Sequence, residues 1–223
     1  MIMKKLLSIF VFALVTFTAA QAQSGFGIRG GANFSNLEGD LKNESRYENK
    51  IGFHGGVTYG IDVIDNFFFI QPELLYSTKG FKYRDSEITL PTGSTFRREG
   101  NINYNYIDLP VLAKIKAGPI YFEAGPQASY LLSVNNKTKE SLNGDPYSSS
   151  TKERDIDGLR RFEVGYAAGV GFATSSGISL GVRYNGSLTD FVNKNPEDYF
   201  EGDLTNARHS TIMATVGFTF GGR

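Results

Sequence analysis

The chain has 223 residues, with 23 basic and 23 acidic side chains and no cysteine. This charge balance argues against a nucleic-acid-binding protein, which usually carries a basic excess. Without cysteine there are no disulfides and no thiol to carry a lipid anchor.

The first 22 residues have the composition of a secretion signal. A basic start is followed by a mainly apolar run over 6–20 and then by Ala20-Gln21-Ala22, the small-x-small pattern that signal peptidase cleaves. The apolar run is shorter than the roughly 18 to 20 residues that a transmembrane helix requires. We therefore predict that residues 1–22 are a cleaved signal peptide and that residues 23–223 form one exported domain.

Beyond the signal, apolar side chains alternate with small or polar ones, which is the period of a β-strand. In Phe162–Phe172, FEVGYAAGVGF, large apolar residues alternate with Glu163, glycine and alanine. Most of these strands have roughly 10 to 16 residues, which is enough for the 9 to 11 that a tilted membrane strand needs. In chain order, the predicted strands lie within 26–35, 51–61, 68–77, 101–116, 120–132, 162–172, 178–185 and 211–220.

The fourth predicted strand has an irregular pattern. Ile102, Tyr104 and Tyr106 share one phase, whereas Ile107 and Leu109 begin the opposite phase. One additional residue reverses the side-chain orientation of everything that follows it. We therefore predict a β-bulge near Tyr106 that brings both sets of apolar residues onto one face.

The connections between predicted strands are alternately short and long. Short turns at one end and long polar loops at the other are typical of a bacterial outer-membrane barrel. We predict an all-β, eight-stranded, antiparallel up-and-down transmembrane barrel of OmpA/OmpX-like architecture, with short periplasmic turns and four long extracellular loops. The short turns are 62–66, 117–119 and 175–177, and the long loops are 38–50, 84–99, 135–157 and 190–207.

In this barrel the apolar faces meet lipid, and the other faces fill a narrow interior. The small residues opposite the Phe162 face leave room for larger side chains that project from neighbouring strands: Tyr121, Glu123, Gln127 and Arg183. The alternative is a soluble, lipocalin-like barrel with the apolar faces inward. Glycine-rich polar faces argue against it, because a strand face in water normally carries threonine, lysine or glutamate.

Charged residues occur on the predicted interior faces, where each must be paired, since stranding one costs roughly 3 to 5 kcal/mol. We predict a salt-bridged network that keeps the interior shut. An ion path and a catalytic carboxylate pair are the alternatives. The predicted network comprises Arg29, Glu73, Glu123, Glu163 and Arg183, with His54 on the same faces and with Asp108 and Lys114 joining after the bulge.

Four blocks of the sequence resemble the PorT-like family of outer-membrane β-barrels. They are FFFIQPELLYSTKGF (67–81), YIDLPVLAKIK (106–116), YFEAGPQASYLL (121–132) and GVRYNGSLTDF (181–191). The resemblance implies an eight-stranded barrel in a Gram-negative outer membrane, and the namesake subfamily is associated with protein secretion across that membrane. It also implies that the assembly machinery recognises an aromatic residue of the last strand, for which Phe218 and Phe220 are suited.

The remaining motifs do not indicate catalysis. Gly25 to Gly30 spell the dinucleotide fingerprint G-x-G-x-x-G, but the motif requires a preceding strand and a following helix, and here a strand follows. With only His54 and His209 and no cysteine, neither a catalytic triad nor a transition-metal site is indicated. We expect no enzyme activity, no catalytic residue, no cofactor and no metal.

The long loops are the expected sites of partner contact. Arg84, Arg97 and Arg98 are candidates for bidentate contacts with lipopolysaccharide phosphates. The expected partners are outer-membrane lipid including lipopolysaccharide, the barrel-assembly machinery and secretion proteins, but not nucleic acid. The expected function is a non-enzymatic outer-membrane scaffold that presents its loops. A secretion accessory and an enzyme acting on lipid or peptide at the loop rim are the alternatives.

Overall fold

The computed structural model of the chain describes residues 25–39, 47–84, 88–89, 93–143, 145–154, 159–192, 204 and 206–220. The predicted signal peptide, 1–22, lies outside these residues. None of the described segments forms a helix long and apolar enough to cross a membrane.

Strands in the described residues form one antiparallel sheet, and eight of them close into a ring. β10 pairs with β1, and β5 pairs with β6, so every strand of the ring has two neighbours. This ring confirms the predicted eight-stranded barrel. The strands are β1 (Gly25–Glu38), β2 (Tyr47–Ile64), β3 (Phe68–Arg84), β4 (Ile88–Thr89), β5 (Thr95–Ala117), β6 (Ile120–Leu142), β7 (Asp145–Arg154), β8 (Phe162–Ala173), β9 (Ile178–Ser187) and β10 (Arg208–Thr219), of which β4 and β7 lie outside the ring.

The three predicted short turns lie at one end of the barrel. They connect β2 to β3, β5 to β6 and β8 to β9. Each contains a residue with positive φ: Asn66 at 56°, Gly118 at 65° and Gly177 at 88°. Glycine and asparagine tolerate this conformation best, which explains why they occupy these positions.

Strands continue into three of the segments that we predicted to be long loops, since β2 already begins at Tyr47, within the predicted loop 38–50. β5 and β6 each have 23 residues, β4 pairs with the start of β5, and β7 pairs with the end of β6. The prediction of loops over 38–50, 84–99 and 135–157 is therefore wrong for these parts. These segments show no apolar alternation in the sequence, although their backbones still pair, because above the lipid no strand face has to be apolar.

The predicted irregularity at Tyr106 is present, but it lies on the neighbouring strand. Asn105 pairs with Ser133 and Tyr106 pairs with Leu131, so Leu132 of β6 is the additional residue. β5 keeps an unshifted register against β3 through the same region. The bulge therefore belongs to β6, and β5 does not reverse its side chains.

Three β5 residues that we expected to face the lipid point into the barrel instead. Ile102, Tyr104 and Tyr106 are fully buried inside the barrel, on the same face as Asp108. The predicted alignment of these residues with the lipid-facing Ile107 is wrong. The reason is their height: this part of β5 rises toward the long-loop end, where the interior rather than the lipid supplies the apolar surroundings.

The outer surface of the barrel carries the apolar face of each membrane-spanning strand. On β8, Phe162, Tyr166 and Phe172 are about half exposed, whereas Glu163 is 2% exposed. The same division runs round the ring, with Ile28 and Phe218 outside. The alternation predicted from the sequence is thus the division between a lipid surface and a filled interior.

Glycines on β8 lie directly opposite the large interior residues of β6. Tyr121 pairs with Gly171, Glu123 with Gly169 and Gln127 with Gly165. A Cβ atom built on Gly171 would come within 3.0 Å of the Tyr121 ring. The small face of β8 therefore makes room for its neighbour's side chains, as the sequence predicted.

Candidate functional site in the barrel interior and on the outer wall

Two arginines and two glutamates make an ionic layer across the half of the barrel near the short turns. Arg183 donates from Nη1 to Glu73 Oε2 at 2.8 Å and from Nε to Glu123 Oε1 at 2.8 Å. Arg29 donates from Nη1 to Glu73 Oε1, and its Nη2 lies 3.7 Å from Glu123 Oε1. All four side chains are at most 5% exposed. The layer therefore balances its charges where no bulk water reaches them.

Polar and aromatic groups border the ionic layer. Gln71 donates to Glu73 Oε1 at 2.7 Å, and Lys114 places its ammonium group 3.8 Å from the centroid of the Tyr121 ring. Such a cation–π contact stabilises a charge that has left water. These contacts occupy the space between the layer and the short-turn end.

The next layer toward the long loops is a network of hydrogen bonds. His54 Nδ1 lies 2.7 Å from Asn33 Oδ1, and its Nε2 lies 3.0 Å from Thr215 Oγ1. Lys79 donates to Asp108 Oδ1 at 2.9 Å. Both ring nitrogens of His54 are thus occupied by hydrogen-bond partners within the barrel.

Glu163 lies above this network, at the base of an aromatic group. Its Oε1 accepts a hydrogen bond from the Tyr106 hydroxyl and lies 3.2 Å from His209 Nδ1. The His209 ring centroid is 4.7 Å from that of Phe191 and 4.9 Å from that of Tyr104. The carboxylate is therefore held by two partners and covered on the side of the long loops.

A cavity of about 10 Å³ lies beside Glu163. It is lined by side chains that include Asn185, His209 and Thr211. Within the described part of the chain, one buried polar atom of each of these residues lacks a hydrogen-bond partner: Asn185 Oδ1, His209 Nε2 and Thr211 Oγ1. A space of this size accommodates about one water molecule.

An apolar cluster, here called the aromatic cap, closes the interior at the long-loop end. Loop residues enter this cluster: Leu159 forms a β-bridge with Val192, and the Phe191 N–H donates to the Ala207 carbonyl at 3.1 Å. The cap thus joins two long connections to the barrel strands. Its residues are Leu37, Tyr47, Phe81, Tyr83, Ile102, Tyr104, Tyr106, Leu131, Val134, Leu159, Phe191, Val192, Leu204 and Ala207.

The five residues predicted to form one interior network are divided between two levels. Four of them, Arg29, Glu73, Glu123 and Arg183, contact one another in the ionic layer. Glu163 is instead held by Tyr106 and His209 under the aromatic cap.

Sequence reasoning missed several interior residues of the upper level, above all Lys79 and His209. Lys79 continues the inward phase of Glu73, Leu75 and Ser77 by two residues, so a longer predicted β3 would have included it. Arg84, Arg97 and Arg98, the predicted lipopolysaccharide contacts, have backbones in β3 and β5, but their side chains lie outside the described part of the structure.

The outer wall above the lipid has its own polar surface. β5 alternates Asn101, Asn103 and Asn105 with the inward residues of the aromatic cap. Asn103 donates to Asn101 Oδ1 at 3.2 Å, and Asn105 donates to Ser133 Oγ at 2.9 Å. The segment NINYNY thus contributes an apolar face to the interior and an amide face to the outer wall, where Asn101 and Asn103 are partly exposed and Asn105 is buried.

The chain belongs to a family of outer-membrane barrels. The family described as "Outer membrane protein beta-barrel domain" matches residues 19–193. Together with the closed ring of strands and its apolar outer surface, this match identifies the protein as a β-barrel protein of the outer membrane.

Several solved structures are similar to this chain. Ail, the attachment invasion locus protein of Yersinia pestis, matches with 14% identity and a TM-score of 0.44, covering 89% of this chain and 99% of Ail. OprG of Pseudomonas aeruginosa matches with 14% identity and a TM-score of 0.42, covering 88% and 96%. Neisserial surface protein A matches with 17% identity and a TM-score of 0.39, covering 87% and 97%. No curated protein matches the sequence.

Proposed function

We propose that the protein is a non-enzymatic, non-conducting scaffold of the outer membrane that presents its long-loop end to the outside. The observation that carries this proposal is the succession of layers in the interior. The ionic layer, the hydrogen-bonded network around His54 and the aromatic cap follow one another along the barrel axis. An eight-stranded barrel is narrow enough for side chains to fill, and here they do so at both ends of the interior.

Single-channel recording tests the absence of conduction. The purified full chain, inserted into planar bilayers, is expected to give no stepwise current, whereas a sixteen-stranded porin in the same bilayers gives discrete steps. Reproducible steps from the wild-type protein would contradict the closed-scaffold proposal. An ion path through the ionic layer would then be the better interpretation, and the steps would change in size with Glu73→Gln.

The surroundings of Glu163 support the proposal that the protein is not an enzyme. This carboxylate lies at the aromatic cap, but Tyr106 and His209 occupy it, and Phe191 covers the His209 ring. A catalytic base needs access to a proton of the substrate. We expect no turnover of phospholipid, lipopolysaccharide or peptide by the purified protein. Turnover that Glu163→Gln abolishes would overturn this expectation.

A role as an accessory of protein secretion is the second candidate. It is supported by the four sequence blocks that resemble the PorT-like family, the longest of which covers residues 67–81. A deletion strain that loses secretion of proteins across the outer membrane, and regains it with the wild-type gene, would favour this role. Restoration by a chain in which all four long loops are exchanged would favour the scaffold.

The proposed partners follow from the same placement in the membrane. Outer-membrane lipid is the proposed partner of the apolar outer surface of the barrel, and lipopolysaccharide phosphates are proposed partners of Arg84, Arg97 and Arg98. The assembly machinery is proposed to recognise the aromatic end of the last strand, where the rings of Phe218 and Phe220 lie 5.1 Å apart. Crosslinking through these positions in cells would test each contact.

A further inference from the structure

A cleft of about 250 Å³ opens on the wall of the strands that rise above the lipid. Its charged lining residues are Glu48, Lys82, Lys137 and Lys139, which leaves a net charge of +2. Tyr83, Gly100 and Asn101 complete the lining. The cleft is therefore an electropositive recess built from ordered strands rather than a single exposed charge.

Strand register explains why these charges converge. Glu48 pairs with Lys82, Lys82 with Asn101, and Asn101 with Lys137, so one row crosses four neighbouring strands. Lys139 lies two residues further along β6 on the same face. Lys82 lies opposite Glu48, and Lys139 lies opposite Glu99, whose side chain is outside the described part of the structure. Three lysines and one described carboxylate therefore share the cleft, and an anionic ligand would offset the repulsion among the lysines.

The height of the cleft indicates the layer of the membrane that it faces. Lys137 follows Tyr130, an outward-facing aromatic residue at the lipid boundary, by seven residues. At about 3.3 Å per residue and a tilt of about 40°, the lysines lie roughly 15 Å above that boundary. At this height the cleft faces the sugar chain of an outer-leaflet glycolipid, so an anionic ligand there would be a phosphate carried on the sugars rather than one at the boundary itself.

The wall between the lipid boundary and the cleft is suited to sugars. Asn103 pairs with Asn135, so two partly exposed amides continue the row of Asn101 toward the membrane, whereas Asn105 below them is buried against Ser133. Amide side chains both donate and accept, which matches the hydroxyl groups of a saccharide. Lysine ammonium groups bind phosphate as compact point charges.

We propose that the amide wall and the lysine cleft together bind a phosphorylated saccharide chain, with the sugars on Asn101, Asn103 and Asn135 and a phosphate between Lys82 and Lys137. The inference rests on the proposed outward orientation of the long-loop end. It concerns a surface separate from the barrel interior, so it does not depend on whether the barrel conducts.

Binding of O-deacylated lipopolysaccharide to the full chain in detergent micelles tests the proposal. The test variant is K82Q/K137Q/K139Q, and the matched control is K116Q, which removes one lysine near the short-turn end. Heat-modifiable migration on a gel verifies that each variant is folded. We expect the triple variant to bind roughly tenfold or more weakly and K116Q to bind like the wild type, because charge-assisted contacts are lost only in the former.

Two further ligands separate the contributions of phosphate and lipid. The same saccharide after dephosphorylation is expected to bind wild type and triple variant equally weakly. Intact lipopolysaccharide in vesicles, compared with the free saccharide, shows whether the ligand is a neighbouring glycolipid or a soluble chain, and lysine dependence in either case supports the proposal. Equal binding of the phosphorylated saccharide by wild type and triple variant would overturn it, whatever the recordings of conductance show.

Discussion

The ionic layer and the aromatic cap fill the same narrow barrel by different means. The layer is composed of charges whose partners come from four strands of the ring, and the cap is composed of apolar side chains from strand ends and long connections. In the layer, stability depends on completing every pair, because a stranded charge is expensive. In the cap, stability depends on filling volume, because loss of apolar contact is what a cavity costs. The barrel therefore combines a base of paired charges with an apolar cap at the long-loop end.

Among the substitutions that test this difference, removal of Arg183 is expected to lower the free energy of unfolding the most. Arg183→Ala leaves Glu73 and Glu123 with incomplete partners in a buried site, so we expect a loss of roughly 3 to 5 kcal/mol in the free energy of unfolding. Urea-induced unfolding in detergent, followed by heat-modifiable migration, measures the change. An unchanged unfolding midpoint would show that the ionic layer does not support the barrel.

Removal of Phe191 tests the cap. Its side chain is 1% exposed and its ring centroid lies 5.4 Å from that of Tyr104. Phe191→Ala is expected to cost about 3 kcal/mol, the lower end for a buried phenylalanine, because a loop residue can relax into the space. Phe191→Leu is the control and is expected to cost less than about 1.5 kcal/mol. Equal losses of unfolding free energy from both variants would mean that the phenyl ring of Phe191 does not hold this long loop against the barrel.

Filling the glycine face of β8 tests how tightly the interior is packed. A Cβ atom on Gly171 would come within 3.0 Å of the Tyr121 ring and of the Leu180 carbonyl oxygen. We expect Gly171→Ala to cost about 1 to 3 kcal/mol through overpacking. At Gly55 the nearest atom to such a Cβ is 3.9 Å away, so Gly55→Ala is the matched control. A tolerated alanine at Gly171 would indicate that the interior is looser than this packing implies.

The smallest effect is expected for an ion pair outside the interior. Arg208 Nε lies 2.8 Å from Asp190 Oδ1, and the two side chains are 48% and 33% exposed. Solvent screens such a pair, so Arg208→Ala is expected to change the free energy of unfolding by less than about 1 kcal/mol. The ratio of this change to that for Arg183→Ala measures how much burial increases the contribution of an arginine's ion pairs to stability. Similar losses for both arginines would contradict the distinction between interior and surface pairs.

The membrane-spanning part of the fold was predictable, because alternation with a period of two is a local property. The inward direction of Arg29, Glu73 and Arg183 follows from the phase of their own strands. The parts of β5, β6 and β7 above the lipid were not predictable from alternation, because no face of a strand contacts lipid at that height. β7, in the sequence DPYSSSTKER, shows no apolar alternation and was therefore interpreted as loop.

The amide wall and the lysine cleft were also beyond what alternation along one strand could predict. The alternation in NINYNY was visible, but a bulge on β5 was the wrong explanation for it. The additional residue is Leu132 on β6, and the inward tyrosines belong to the cap. Only the registers of β2, β3, β5 and β6 together show that Lys82 and Lys137 share a row with Asn101.

By itself, the sequence determined the strand type, the lipid-facing side of each membrane strand and the order of short and long connections, since each depends on neighbouring residues. Tertiary structure decided which interior charges meet, because closure of the ring brings Arg183 to Glu73, 110 residues away in the chain. It also placed Glu163 with Tyr106 and His209, above the layer to which the sequence assigned it. Local patterns define the direction of a side chain, whereas its partner depends on the stagger between strands, which is a property of the closed barrel.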